Sequence, residues 1–272
     1  ILTNHLDVPV FDVVRITLLD TPPRFVEPLD IVLYMYFKGF EAELRDSGIE
    51  YAGDTVANYS LDRRFTLCYL SRFLNCRVAG ISCCKIVEKR LRKKALTKFD
   101  VVASDPGANY RLTFRQSVLE IEPMIAVFNS GRLNVDTVRE MADSKIDTVF
   151  TGFYSGGMRG DLAEMASMLG KRKIPPSIRM LIRPATSDIL SSAIGDGSLR
   201  TLVDAGCTMI HPSPDSIDAA FGAMLPEMGS LLITDPLLLN FIPDRYPHPV
   251  YVTNHQVAVS SALNGAIIDP RG

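Results

Sequence analysis

Residues 147–160 (DTVFTGFYSGGMRG) constrain the fold more than any other segment. Thr148, Val149, Phe150, Thr151, Gly152 and Phe153 form a short apolar run, which reads as a buried strand. Ser155, Gly156 and Gly157 then make a turn, and Asp161, Leu162, Met165 and Leu169 fall at helical spacing. A glycine-lined strand-to-helix turn leaves backbone N–H groups free at a helix N-terminus. Tyr154, Ser155, Gly156 and Gly157 are therefore expected to form a pocket for an anionic ligand. The strand–turn–helix unit also predicts an α/β protein.

The rest of the chain repeats this rhythm. Strands are expected over 11–19, 77–82 and 111–121, and helices over 28–44, 61–74 and 85–99. Ser60 is placed to cap the second helix, with Phe65, Leu67, Cys68, Leu70 and Phe73 as its apolar stripe. Further strands are expected over 148–153, 178–182, 208–211, 230–233 and 250–253. Helices are expected over 159–170, from Ser187, near Ile217 and over 255–263. Residues 123–132, with their Pro start and Asn-Ser-Gly turn, read as the boundary between two βα series. The expected architecture is two three-layer α/β/α units with mainly parallel sheets, over residues 1–124 and 125–272. Ligands in such folds collect at the carboxyl ends of strands.

Composition narrows the function classes. The 272 residues are 47% hydrophobic and 22% charged, with net charge −2, so nothing global points to a nucleic-acid or membrane surface. No apolar run approaches the roughly 20 residues that cross a bilayer. The N-terminus has no leader pattern, and an intracellular, cytoplasmic location is expected. The start at Ile1 suggests a fragment or a processed product. Five cysteines at irregular spacing fit reduced thiols rather than a disulfide framework. Cys83 and Cys84 end an apolar run and read as buried strand-end thiols rather than metal ligands.

The order of landmarks resembles the large-subunit core of the aconitase and 3-isopropylmalate dehydratase family, specifically its second and third subdomains. Glu50, Tyr51 and Gly53 match that family's E-Y-x-G segment. Ser60, Thr66, Leu67 and Cys68 are similar to its S-x-x-G-R-x-T-x-C-N helix. Ser104-Asp105 and 119–123 are similar to its SD and L-x-x-x-x-P landmarks. Gly152, Gly157, Asp161 and Leu162 fit the frame of G-S-C-T-N-G-R-x-x-D-L, and residues 171–176 fit G-R-K-V-A-P. Ala205, Gly206 and Pro212 match the surroundings of the paired cluster cysteines. Residues 250–271 resemble V-Y-L-x-S-P-x-x-A-A-x-S-A-x-x-G-x-x-x-D-P-R.

The resemblance implies a hydro-lyase in which three thiolates hold a [4Fe–4S] cluster that acts as a Lewis acid. Those positions fall on Tyr154, Pro214 and Ile217, none of which supplies a thiolate. The Asn and Glu of the first-half helix appear as Tyr69 and Phe73. In the substrate loop N-R-N-F-x-G-R, Asn240 and Phe241 survive, leucines replace the polar pair, and Arg245 aligns with the last arginine only after a one-residue shift. The expectation is a cluster-free pseudoenzyme, without an iron–sulfur cofactor, in a structural, regulatory or interaction role. The alternative is a dehydratase or isomerase acting on a hydroxy-carboxylic acid, completed by an N-terminal domain or a small swivelling subunit of the family.

Other candidates are weaker. His211, Ser213 and Asp215 are expected at a strand end facing the glycine turn, where with Arg245 they would complete a pocket for a small carboxylate. The preferred reading makes Ser213 or Asp215 a helix N-cap and His211 a rim residue. Lys85, Lys89, Arg90, Arg92, Lys93, Lys94 and Lys98 could grip RNA, but no aromatic residue interleaves before Phe99. A solvated helix face is preferred. His5, His248 and His255 show no partners at metal spacing.

Overall fold

The computed structural model describes residues 10–95, 97–212, 229–243 and 246–272. Two sheets organise the chain. The first has β1 (Val13–Leu19), β2 (Gly48–Ala52), β3 (Val78–Ile81) and β4 (Leu112–Ser117) in the order β3-β2-β1-β4, all parallel. The second has β5 (Met124–Asn129), β6 (Arg132–Thr137), β7 (Thr148–Gly152), β8 (Arg179–Arg183), β9 (Thr208–Met209), β10 (Leu231–Ile233) and β11 (Val250–Thr253). Its order is β6-β5-β11-β10-β7-β8-β9, parallel from β11 to β9, while β5 pairs antiparallel with both β11 and the edge strand β6.

Strand position follows side-chain pattern. In β1, Val14, Ile16 and Leu18 are fully buried while the residues between them are half-buried. Every residue of β7 is buried between β10 and β8, which explains its unbroken apolar run. Residues 123–132, expected as a boundary, instead pair as β5 and the turn of a hairpin. The Asn-Ser-Gly signal marked a turn inside one sheet, and the sheets change between Ser117 and Met124.

The helices are α1 (Pro28–Phe37), α2 (Glu41–Leu44), α3 (Asp54–Asn58), α4 (Leu61–Leu70), α5 (Lys85–Lys94), α6 (Arg159–Leu169), α7 (Ser187–Gly195), α8 (Ser198–Asp204) and α9 (His255–Asn264). The expected helix over 28–44 breaks at Gly39, whose φ of 78° leaves the helical region. Ser60 caps α4, accepting from Arg63 N at 3.2 Å. The packed face of α4 is Leu67 and Leu70, continued by Leu74, while Phe65 is half exposed. Helix α5 ends at Lys94, short of the expected Phe99, and Leu91 faces solvent rather than a core. Cys83 and Cys84 are half-buried rather than buried.

α1 joins the two sheets. All residues from Pro28 to Met35 are buried, as suits a helix that is apolar almost all round. One hydrophobic cluster runs from Val14 and Ile31 through Leu67 to Phe150, Leu231 and Val250, so both sheets share a core. Asp30, fully buried in α1, accepts from Glu27 N at 2.6 Å, Met124 N at 2.7 Å and Asn254 Nδ2 at 2.8 Å. This carboxylate ties α1 to the starts of β5 and α9. Burial pushes its pKa up to about 7, against the pull of those N–H donors. No helix among the described residues is long and apolar enough to cross a membrane.

Candidate functional site

The turn after β7 forms as expected, but two N–H groups there, those of Gly156 and Met158, are already in use. The Asp161 carboxylate accepts from Gly156 N at 2.9 Å and from Met158 N at 3.1 Å. The start of α6 thus holds the protein's own anion, three positions into the helix. The turn is also closely packed. A Cβ on Gly157 would lie 2.5 Å from Phe153 O and 2.6 Å from Arg183 O. Gly156 has φ of 94° and faces Thr234 Oγ1. Ser155 is buried, and its carbonyl accepts from Thr234.

Tyr154 is fixed above this turn. Its carbonyl accepts from Thr66 Oγ1 at 2.7 Å, and its ring stands edge-on to Phe65 and Tyr69, with both centroids at 4.9 Å. Tyr69 in turn donates to Asp235 Oδ2 at 2.8 Å. Asp235 lies fully buried just past β10, and desolvation pushes its pKa up to about 7. Arg183, at the end of β8, holds its guanidinium 4.1 Å over the Phe153 ring. The carboxyl ends of β7, β8 and β10 are therefore filled by aromatic rings with one buried carboxylate.

Among the described residues, those at this turn present no thiolate that could hold an iron–sulfur cluster. The position that would carry its first thiolate presents a packed phenol. Burial pushes the thiols of Cys68 and Cys76 up to about 11 and that of Cys207 up to about 12, which disfavours the thiolate form that iron needs. Cys84 Sγ lies 2.9 Å from Arg64 Nη1. Among the described residues, the one group of three His, Cys, Asp or Glu side chains close enough to share a cation contains no cysteine. Pro214 and Ile217 lie outside the described residues.

That group is Glu27, Glu164 and His255, at the meeting point of α1, α6 and α9. A guanidinium already serves it. Arg63 of α4 grips Glu27 through Nε at 2.9 Å and Nη2 at 2.6 Å, and the same Nη2 reaches Glu164 Oε1 at 3.0 Å. Gln256 Nε2 bonds Glu27 at 2.8 Å and Glu164 at 3.0 Å. His255 Nε2 lies 2.9 Å from Glu164 Oε2, and its Nδ1 lies 4.0 Å from Asp161 Oδ1. Burial alone would neutralise His255, yet Asp161, Glu164 and Glu27 outweigh it and hold its pKa up at about 9. The bond from His255 draws Glu164 down to about 2. A protonated imidazole at a helix start opposes the helix dipole, so these carboxylates are what keep it there.

The expected site residues are only partly brought together. Tyr154, Ser155, Gly156 and Gly157 share the turn. His211 is exposed beyond β9, with β8 between it and β7, so it lies two strands away rather than facing the turn. At the usual spacing that is roughly 10 Å. Ser213, Asp215 and Arg245 lie outside the described residues. His255, expected to have no partners at metal spacing, meets Glu164 and Asp161, 91 and 94 positions away in sequence. Its signal was present as a departure from the resemblance: where the last motif has S-P, this chain has Asn254-His255.

The aconitase family (aconitate hydratase) matches residues 1–213. The chain belongs to that family. Among similar proteins, the 3-isopropylmalate dehydratase large subunit of Nitratiruptor sp. is 30% identical, over 82% of this chain and 53% of that protein. The same subunit from Sulfurihydrogenibium sp. is 29% identical, over 92% and 58%. A probable methanogen homoaconitase large subunit from Methanosarcina mazei is 28% identical, over 94% and 65%. The chain thus spans about half to two thirds of the length of these curated relatives. Among solved structures, aconitase X of Thermococcus kodakaraensis (holo-form) matches with a TM-score of 0.41 and 8% identity, over 95% of this chain and 52% of that one.

Proposed function

We propose that this chain is a cluster-free member of the aconitase family that serves a structural, regulatory or interaction role and has lost hydro-lyase activity. The observation that carries this reading is Tyr154, packed against Phe65 and Tyr69 where a thiolate would have to stand. The high thiol pKa values of Cys68, Cys76 and Cys207 support it. So does the apolar replacement of the substrate loop at Leu238 and Leu239. Residues 1–124 and 125–272 would correspond to the second and third subdomains of the family's core. Because the relatives are named large subunits and this chain spans only part of them, its partner would be a further domain or a small subunit of the same family.

The test is dehydration of isopropylmalate, homocitrate and citrate, with and without anaerobic treatment with ferrous iron and sulfide. No turnover under either condition supports the proposal. Turnover that depends on iron and sulfide contradicts it and restores the reading of a hydro-lyase on a hydroxy-carboxylic acid.

Helix α5 favours a second reading. Lys85, Lys89, Arg90, Arg92 and Lys93 are all exposed, so the basic surface needed for RNA phosphates exists. Phe99 lies 5.7 Å from the Arg92 guanidinium. Salt-sensitive RNA binding that is lost on charge reversal at Lys89, Arg90 and Lys93 would support this role, and unchanged binding would end it.

A further inference from the structure

Strand β3 ends the first sheet, and its outer edge pairs with no strand and bonds to no loop among the described residues. Its sequence, Val-Ala-Gly-Ile, carries none of the charges or prolines that usually protect such an edge. Apolar pockets flank it on both faces of the sheet. Ile81 registers with the buried Tyr51, on the face that α4 covers. There a groove of about 460 Å³ runs between α4 and α5, walled by Leu61, Phe65, Ile81, Val87 and Leu91. Val78 and Gly80 register with Gly48 and Glu50, on the opposite face. A cleft of about 370 Å³ lies there against residues 102–104, walled by Val13, Val78 and Val102. The two pockets share Ile81. Phe65, Val78, Leu91 and Val102 are 49%, 50%, 45% and 82% exposed, so the apolar surface continues round the edge.

These surroundings restrict what can cover the edge. A strand added beside β3 sends alternate side chains to the two faces, and so into the two pockets in turn, while its backbone takes the open N–H and C=O groups. Its charge is set by α5, which follows β3 directly. Glu88, the one acid of α5, is taken by Arg92 at 2.6 Å. Lys85, Lys89, Arg90 and Lys93 are exposed and meet no carboxylate among the described residues. In the pocket linings, Glu50 is held by Tyr110 at 3.0 Å, and Asp62 alone opposes those four cations, so the field favours an acidic segment. A second copy pairing through β3 would set two cationic α5 helices at one junction. RNA phosphates would use the cations alone, with nothing to offer the backbone edge or the apolar pockets.

We propose that the open edge of β3 is a docking site for an extended, apolar segment of a partner protein, flanked by acidic residues, which joins the four-stranded sheet as a further strand. The backbone edge supplies the pairing, the two pockets read alternate side chains, and α5 reads the flanking acids. The assignment rests on the interaction role proposed above and supplies its surface. Failure of the segment to bind would end this assignment, whereas turnover that depends on iron and sulfide would end that role.

Two labelled peptides test the site on the full chain by fluorescence anisotropy: Glu-Glu-Val-Val-Val-Val-Val-Glu-Glu, and the same valines between paired lysines. The expected result is saturable binding of the acidic peptide, about tenfold tighter than the basic one, with new hydrogen-exchange protection centred on β3. Gly80→Phe, at a glycine whose Cβ would meet nothing within 4 Å, and Leu91→Ser, at an exposed side chain, should each weaken binding about tenfold while the Tm holds. Absence of binding overturns the proposal, as does equal binding of both peptides or binding without protection at β3. Oligouridylate binding that neither variant changes, with no binding of the acidic peptide, overturns it in favour of RNA. Concentration-dependent dimerisation that Gly80→Phe abolishes overturns it in favour of a second copy.

Discussion

His255 Nε2 lies 2.9 Å from Glu164 Oε2, so the first turn of α9 is fastened to α6 by a charged hydrogen bond between a buried imidazole and a half-buried carboxylate. The imidazole pKa stands at about 9 against an ordinary 6.5. A raised value in the folded state means that the protonated form stabilises the fold. That contribution is complete below pH 6.5 and is lost as pH climbs through about 9. Asp30 and Asp235, raised to about 7, add a loss of the same sign between their ordinary 3.8 and 7. Tm followed by circular dichroism should therefore fall from pH 6.5 to 9. His255→Gln should start lower and be flat across that window. Below pH 4.5, protonation of Glu164, held at about 2 by His255, should lower native Tm as pH falls.

Asp161 occupies two N–H groups, of Gly156 and Met158, that would otherwise attract a ligand anion. Asp161→Ala should cost about 1–3 kcal/mol in urea unfolding, because Gly156 N and Met158 N lose their acceptor. The variant should also gain a sulfate-dependent rise in Tm that the native chain lacks. A native chain equally stabilised by sulfate would show that the turn is open.

The glycine turn tolerates no side chain at Gly157. Gly157→Ala should destabilise by about 3 kcal/mol, since its Cβ meets two backbone carbonyls that cannot rotate away. Gly195→Ala, where nothing lies within 4 Å, is the control and should be neutral or slightly stabilising in the same denaturant series.

Tyr69→Phe removes the side-chain donor to a fully buried carboxylate. The loss should be about 2 kcal/mol, and Asp235→Asn in the same background should recover part of it by removing the charge. Equal and additive losses from the two changes would show that the pair is uncoupled.

Much of the fold was legible because it depends on local pattern. The unbroken apolar run of β7 and the Ser60 cap identified their elements directly. The β5–β6 hairpin was hidden because Pro123 and the Asn-Ser-Gly turn signal a break without saying whether one sheet or two lies around it. α5 was drawn too long because its apolar residues suggested a packed face that the structure leaves in solvent at Leu91. The ion cluster was the hardest to read. Glu27, Arg63, Glu164 and His255 are each ordinary in their own segments, and only tertiary packing makes them neighbours.

The proposal that this chain carries no iron–sulfur cluster rests on the packed Tyr154 and on the raised thiol pKa values of Cys68, Cys76 and Cys207. Iron and acid-labile sulfide, quantified after anaerobic reconstitution and desalting, test it most directly. The account predicts iron and sulfide far below one cluster per chain and no cluster absorption in the visible spectrum. Four irons and four sulfides retained per chain, with that absorption, would contradict it.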